Sequence, residues 1–149
     1  MSEFKISIPT DNEGFVLLQC SFCGEYFKLL GSDVNREDTL NIWCPYCGLN
    51  GRNFAPEEAE YNVIKVAKNE INELIYNMFK DIERENRNNK NITFKCGKSP
   101  EKEIVSPIKV RVDNLEIKQF KCCGTVAKIK PLSIGCGSYC PRCGGIDYE

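Results

Sequence analysis

The chain has 149 residues, 42% hydrophobic and 28% charged, with a net charge of −1, ten cysteines and no histidine. That composition can fold as one small domain or two very small ones, and no run approaches the roughly 18–20 apolar residues of a membrane span. Without histidine the commonest general base, the Cys-His and Ser-His nucleophile pairs and the His-containing catalytic zinc sites are all missing, so an enzyme is not expected.

Residues 1–14 read as a polar lead-in, with Pro9 and Asp11-Asn12-Glu13-Gly14 as turn formers. Met1 to Pro9 holds no apolar core of a secretory leader, so a reducing cytoplasm is expected. There, cysteine clusters read as metal sites rather than disulfides. Phe15 to Gln19 reads as a strand entering Cys20-Ser21-Phe22-Cys23, and Glu25 to Leu30 as its return. An acidic, turn-rich loop from Gly31 to Thr39 follows. Asn41-Ile42-Trp43 is then a short strand delivering Cys44-Pro45-Tyr46-Cys47-Gly48.

Two Cys-x-x-Cys turns side by side make a tetrahedral cage of four sulfurs, the geometry Zn²⁺ prefers at about 2.3 Å per sulfur. Cys20, Cys23, Cys44 and Cys47 are therefore the expected ligands of a structural zinc, with Phe22, Trp43 and Tyr46 beside it. A ribbon this small has little hydrophobic core, so the metal has to contribute much of its folding free energy.

Pro56-Glu57-Glu58 suits a helix start, because Pro fits the first turn and early acids fit its positive end. Ile64, Ala67, Ile71, Leu74, Met78 and Ile82 recur at steps of three and four, widened by Val63, Ile75 and Phe79. The helix is expected from about Pro56 to Arg87, on the order of 45 Å long. Its stripe either packs against the ribbons or forms a partner surface or homodimer seam across residues 56–87. Asn86 to Asn91 reads as a helix end, Lys98 to Glu103 as an exposed and mobile loop, and Cys96 as a free thiol. Ile108, Val110 and Val112 alternate with charges, Leu115 and Ile117 follow, and Asp113-Asn114 suggests a hairpin turn between them.

Cys140-Pro141-Arg142-Cys143-Gly144 repeats the form of Cys44 to Gly48. Its partner half is irregular: Phe120-Lys121-Cys122-Cys123-Gly124, with Cys136 nearby. Cys123, Cys140 and Cys143 are expected to bind a second structural Zn²⁺. The fourth ligand is Cys122 or Cys136. Vicinal side chains on an extended chain point opposite ways, yet Gly124 permits the tight turn that Cys122 would need.

The net charge hides a split. Residues 1–89 carry nine basic and fifteen acidic side chains, and residues 90–149 carry eleven and six. Lys118, Lys121, Lys128, Lys130 and Arg142 are thus candidate phosphate contacts, with Phe120 and Tyr139 available for stacking. Glu25, Asp33, Glu37 and Asp38 make the first ribbon a poor phosphate binder.

Cys20-x-x-Cys23 with Cys44-Pro45-Tyr46-Cys47-Gly48 resembles the zinc ribbon of the general transcription factor TFIIB. With Cys122-Cys123-Gly124 and Cys140-Pro141-Arg142-Cys143-Gly144, the chain resembles the bacterial TFIIB-type zinc ribbon-containing proteins. That resemblance implies a ribbon at each end with a helix between, and no settled activity. The expected fold is a small metal-stabilised α+β chain in which two ribbons flank one long amphipathic helix. Its expected parts are a ribbon (1–54), a helix (55–90), a linker (91–107) and a hairpin with the second ribbon (108–149). The expected function is a non-enzymatic binding module with two structural Zn²⁺. It would be nucleic-acid-associated through the basic C-terminal ribbon, or else a protein-interaction adaptor or homodimer.

Overall fold

A computed structural model describes residues 8–38, 41–108 and 114–148. The described residues divide into two units, one from Ser7–Ala59 and Ile108–Glu149, the other from Glu60–Pro107. The two ribbons expected as separate ends of the chain therefore belong to one unit.

β1 (Phe15–Gln19) and β2 (Tyr26–Leu30) form the first antiparallel hairpin around Cys20–Gly24. β5 (Glu116–Gln119) and β6 (Val126–Ile129) form its counterpart around Phe120–Gly124. The hairpins join through β2 and β6 into one four-stranded sheet, ordered β1-β2-β6-β5. Side chains alternate across a strand, so Val16, Leu18, Phe27, Leu29, Ala127 and Ile129 share one face. They pack with Phe54, Phe120, Cys20, Cys44 and Cys140 into a single buried cluster. Both ribbons thus share one core. The partner of β5 is β6; the expected strand at Ile108 to Val112 and its turn at Asp113 fall largely outside the described residues, and Asn114 holds a left-handed φ of 76°.

The shorter strands follow the same plan. β3 (Ile42–Trp43) pairs with β4 (Asn50–Gly51) around Cys44–Gly48, and β7 (Ser138–Tyr139) with β8 (Ile146–Asp147) around Cys140–Gly144. Two short helices follow the hairpins: α1 (Gly31–Val34) after β2, where a loop was expected, and α3 (Pro131–Cys136) after β6.

The halves are related by an internal pseudo-twofold. At its axis Lys28 faces Lys128 in the β2–β6 register. The turn bonds repeat: Cys20 N donates to Glu25 O (3.0 Å) as Phe120 N does to Thr125 O (2.8 Å). The contacts between halves are reciprocal. Trp43 N donates to Pro141 O (2.8 Å), and Tyr139 N to Pro45 O (3.0 Å). A Cβ on Gly144 would lie 2.6 Å from the Trp43 ring, and one on Gly48 would lie 2.8 Å from the Tyr139 ring. Each aromatic therefore seats on the other ribbon's knuckle glycine; Trp43 does so rather than serve only its own cage.

That contact has a measurable consequence. Gly144 and Gly124 both have left-handed φ, 72° and 71°, but a Cβ at Gly124 meets open space. Gly124→Ala should cost about 1–2 kcal/mol from backbone strain alone. Gly144→Ala adds a clash with Trp43 and should cost roughly 1–3 kcal/mol more. Urea unfolding of the two variants reads the difference; equal losses would mean that Trp43 does not press on Gly144.

In the other unit, α2 continues through residues 60–86 of its full span Glu57–Asn86, one residue inside the expected limits at each end. Its start lies in the ribbon unit, where Glu57 N donates to Gln19 Oε1 (3.2 Å) and Ala59 is buried. Downstream, the segment expected as a mobile loop lies along the helix as a strap. Asn69 pairs with the Glu103 backbone twice, accepting from its N–H at 2.8 Å and donating to its carbonyl at 2.9 Å. Asn62 Nδ2 donates to Ser106 O (2.7 Å), and Lys102 pairs with Glu73 (2.8 Å). The amide-bearing face of α2 is thus held by its own chain, whereas most of the apolar stripe is exposed; at its edge Phe79 meets the Phe94 ring, centroids 5.9 Å apart. Ile71 is 54% exposed, Leu74 63% and Met78 64%. No helix among the described residues is long and apolar enough to cross a membrane.

Candidate metal centres

Each centre is built from two knuckles. In the first, β1 and β2 hold Cys20 and Cys23, and β3 and β4 hold Cys44 and Cys47. Gly24 and Gly48, both with φ near +70°, close the two turns. Gly24 N donates to Cys20 O (2.9 Å) and Gly48 N to Cys44 O (3.0 Å). The four sulfurs lie within 4.8 Å of one another. Cys20 Sγ is 3.7 Å from Cys47 Sγ, as is Cys23 Sγ from Cys44 Sγ. A tetrahedron of sulfurs about 2.3 Å from a zinc ion has edges of about 3.8 Å, so this donor set fits one.

The second centre gathers Cys122, Cys123, Cys140 and Cys143, also within 4.8 Å of one another. Its separations are shorter on two edges: 3.8 Å for Cys122–Cys123, 3.3 Å for Cys123–Cys140 and 3.1 Å for Cys143–Cys122. The knuckle turn Phe120–Gly124 brings the vicinal pair together. Cys136 ends α3, is exposed and is outside the cluster. Cys96 is partly buried and outside both.

The pseudo-twofold explains the irregular sequence. Phe120 occupies the place of Cys20 and is fully buried. Cys122 occupies the place of Phe22, which is 60% exposed. The thiol and the ring have exchanged positions within the same turn. Aligning Cys20-Ser21-Phe22-Cys23-Gly24 with Phe120-Lys121-Cys122-Cys123-Gly124 would have found this in the sequence.

Burial and the neighbouring sulfurs shape the thiols. Burial pushes the Cys44 and Cys140 thiols well above their ordinary range, and Cys122 up to about 11. At Cys123 burial is outweighed by hydrogen bonds with the Thr125 hydroxyl (3.1 Å) and amide and with neighbouring thiols, bringing it down to about 7. Four thiolates this close need a cation between them, because desolvation and mutual repulsion both disfavour the charged forms. A bound divalent metal supplies that charge and deprotonates the thiols.

Most of the candidate phosphate-binding cations are held inside the ribbon unit. Lys118 is 7% exposed at a core-facing position, and its Nζ donates to Asp147 O (3.3 Å). Lys128 is partly buried, its ammonium over the Phe15 ring, and pairs with Asp11 (2.8 Å) and Glu13. Lys130 pairs with Glu25 above the Tyr46 ring, and Arg142 with Asp38 (3.6 Å). Lys121 is exposed; its N–H donates to Asp147 Oδ2 (3.0 Å), and no ion pair of its side chain is found among the described residues. Phe120, expected to stack on bases, is buried, and Tyr139 sits against Gly48. The opposite charges of the two halves therefore meet within the molecule. Tyr46 adds a further link: its hydroxyl donates to Tyr26 O (2.8 Å) and accepts from Lys130 N (3.2 Å), while burial pushes the phenol up to about 12.

Comparison with protein-family models, curated proteins and solved structures gave no significant match. What the chain itself establishes is a small α+β protein with one long helix, short antiparallel strands and two four-cysteine groups that could each hold a metal ion.

Proposed function

We propose that the chain is a non-enzymatic double zinc-ribbon module acting as a protein-interaction adaptor, and that its helix engages a second copy of itself. Each four-cysteine group would hold one structural Zn²⁺, since four thiolates leave no open coordination position for catalysis. The residue pattern shared with TFIIB-type zinc ribbons supports the metal and the binding role, though not a particular partner. So many thiols stay reduced in a cytoplasm-like compartment.

The observation that carries the adaptor reading is the exposed apolar stripe on a helix whose polar face is already occupied by its own strap. The stripe repeats at intervals of seven residues, as a self-pairing helix requires. Tyr61, Lys68, Ile75 and Ile82 form one row, and Ile64, Ile71 and Met78 the other. Single polar Lys68 in such a row is the kind of residue that fixes register. Tyr61, Ile64, Ile71, Leu74, Ile75, Met78, Phe79 and Ile82 are each exposed by a third to two thirds. Together they offer area on the order of the ~800 Å² per partner that a standard interface buries.

Light scattering and sedimentation of the full chain test this. A dimer mass is expected for the native protein, and a monomer for Ile71→Glu/Met78→Glu, with the zinc content unchanged. A native monomer at high concentration overturns self-pairing. The nucleic-acid reading is weaker because Lys118, Lys128, Lys130 and Arg142 already have internal partners. DNA and RNA titrations at two salt concentrations are expected to show no salt-sensitive binding.

A further inference from the structure

We infer that the two metal centres differ in kind: the first is a closed structural cage, and the second is an exchange site that gives up its Zn²⁺ to competing soluble ligands. The inference rests on both cages holding zinc, as proposed above.

The difference follows from the exchanged positions in the knuckle. In the first cage Cys20 and Cys44 are buried at 1% and 0%, Cys47 is half-buried and Cys23 alone is exposed. Phe27, Phe54 and the shared core close around the two buried ligands. In the second cage Phe120 has taken the interior place, and the thiol that left it stands at the solvent-facing place. Cys122, Cys123 and Cys143 are all exposed, and Cys140 alone is buried.

Replacement of a thiolate at a zinc ion begins with approach of an entering donor. Three exposed ligands leave that approach open; two ligands sealed in a core block it. The Cys123 sulfur also shares a hydrogen bond with Thr125 Oγ1 at 3.1 Å. In the exchange the entering chelator bonds to Zn²⁺ as each thiolate leaves, and the released thiolates take protons from water. No electron is transferred. A soft divalent ion such as Cd²⁺ would enter the vacated thiolates by the reverse path.

Three readings on the full-length zinc-loaded protein decide this. Elemental analysis should give two zinc ions per chain. A chromophoric chelator in excess should then draw zinc in two phases of one ion each, the faster at least ~10-fold quicker, a factor that corresponds to about 1.4 kcal/mol in the exchange barrier. Timed alkylation with iodoacetamide, read by mass spectrometry, should label Cys122, Cys123 and Cys143 with the fast phase, and Cys20, Cys23, Cys44 and Cys47 only with the slow one. The double variant Phe120→Cys/Cys122→Phe restores the first ribbon's arrangement and should slow the fast phase toward the slow one. A zinc content of one, a single release phase, or early labelling of Cys20 and Cys44 overturns the inference. Should the double variant not fold, alkylation of the native chain still decides. Because none of these readings depends on self-association, a monomeric but biphasic protein would sink the adaptor reading and leave this one standing.

Discussion

Cys44→Ser is expected to yield no folded ribbon unit, in either half. Cys44 is fully buried and lies in the same apolar cluster as Phe120, Ala127, Ile129 and Cys140 of the other ribbon. Losing the first metal removes binding free energy on the order of 10 kcal/mol, comparable to the whole stability of about 5–15 kcal/mol for a small domain. The apolar core cannot replace it, since much of it is the metal-bearing knuckles themselves. Unfolding should therefore spread across β2 and β6, and the backbone amide spectrum should lose dispersion for Val126–Ile129 as well as Tyr26–Leu30. Cys122→Ala should behave differently. Its side chain is exposed and outside the cluster, and it serves the centre proposed above to give up its metal more readily, so the sheet should persist with one zinc retained. A dispersed spectrum for zinc-free Cys44→Ser would refute the dependence of this fold on its metal.

The two cages were legible in the sequence because each knuckle is local: Cys-x-x-Cys, with Gly24, Gly48 or Gly144 taking a left-handed φ, is a turn that needs no distant partner. The long helix was legible for a similar reason, since Ile64 to Ile82 carry their own periodicity and Pro56-Glu57 their own start signal. What was not legible is how the halves meet. The β2–β6 pairing joins residues about a hundred positions apart, and no local preference of Lys28 or Lys128 announces it. Charge misled for the same reason. Lys128, Lys130 and Arg142 read as a basic surface when counted along the chain, but Asp11, Glu25 and Asp38 stand beside them in space. Lys118 misled because its aliphatic stem can fill a core-facing position while its ammonium reaches the Asp147 carbonyl. The irregular Phe120-Lys121-Cys122-Cys123 was partly legible: it showed that a ligand had moved, but not that the aromatic ring had taken the thiol's place inside.

Asp11→Asn is expected to cost about 3 kcal/mol or more, although the sequence marks Asp11 only as a turn former. Lys28 and Lys128 face each other across β2 and β6, an arrangement of like charges that is destabilising by itself. Their side chains are only 9% and 13% exposed, so solvent does little to separate them. Asp11 Oδ2 bridges both, at 3.3 Å from Lys28 and 2.8 Å from Lys128. Removing one member of a largely buried ion cluster costs roughly 3–5 kcal/mol: Lys28 loses its Asp11 carboxylate, and Lys128 keeps only the more exposed Glu13. Asn keeps the turn, since its side-chain oxygen can still accept from Glu13 N–H (3.0 Å) and Phe15 N–H (2.9 Å) as Asp11 Oδ1 does. The substitution therefore isolates the charge. Burial alone would raise the Asp11 carboxyl, but the bonds from Lys128, the Phe15 amide, Lys28 and the Glu13 amide outweigh it and hold the group well below the usual carboxylate range. With the folded value depressed, its stabilisation is fully present above the ordinary value of 3.8 and is lost only as pH falls below that. The stability gap between native protein and Asp11→Asn, measured by urea unfolding with zinc in excess, should thus stay constant from pH 7 down to about 5. A gap that is small at pH 7, or that narrows already between pH 7 and 5, would show that Lys28 and Lys128 are reconciled by something other than Asp11.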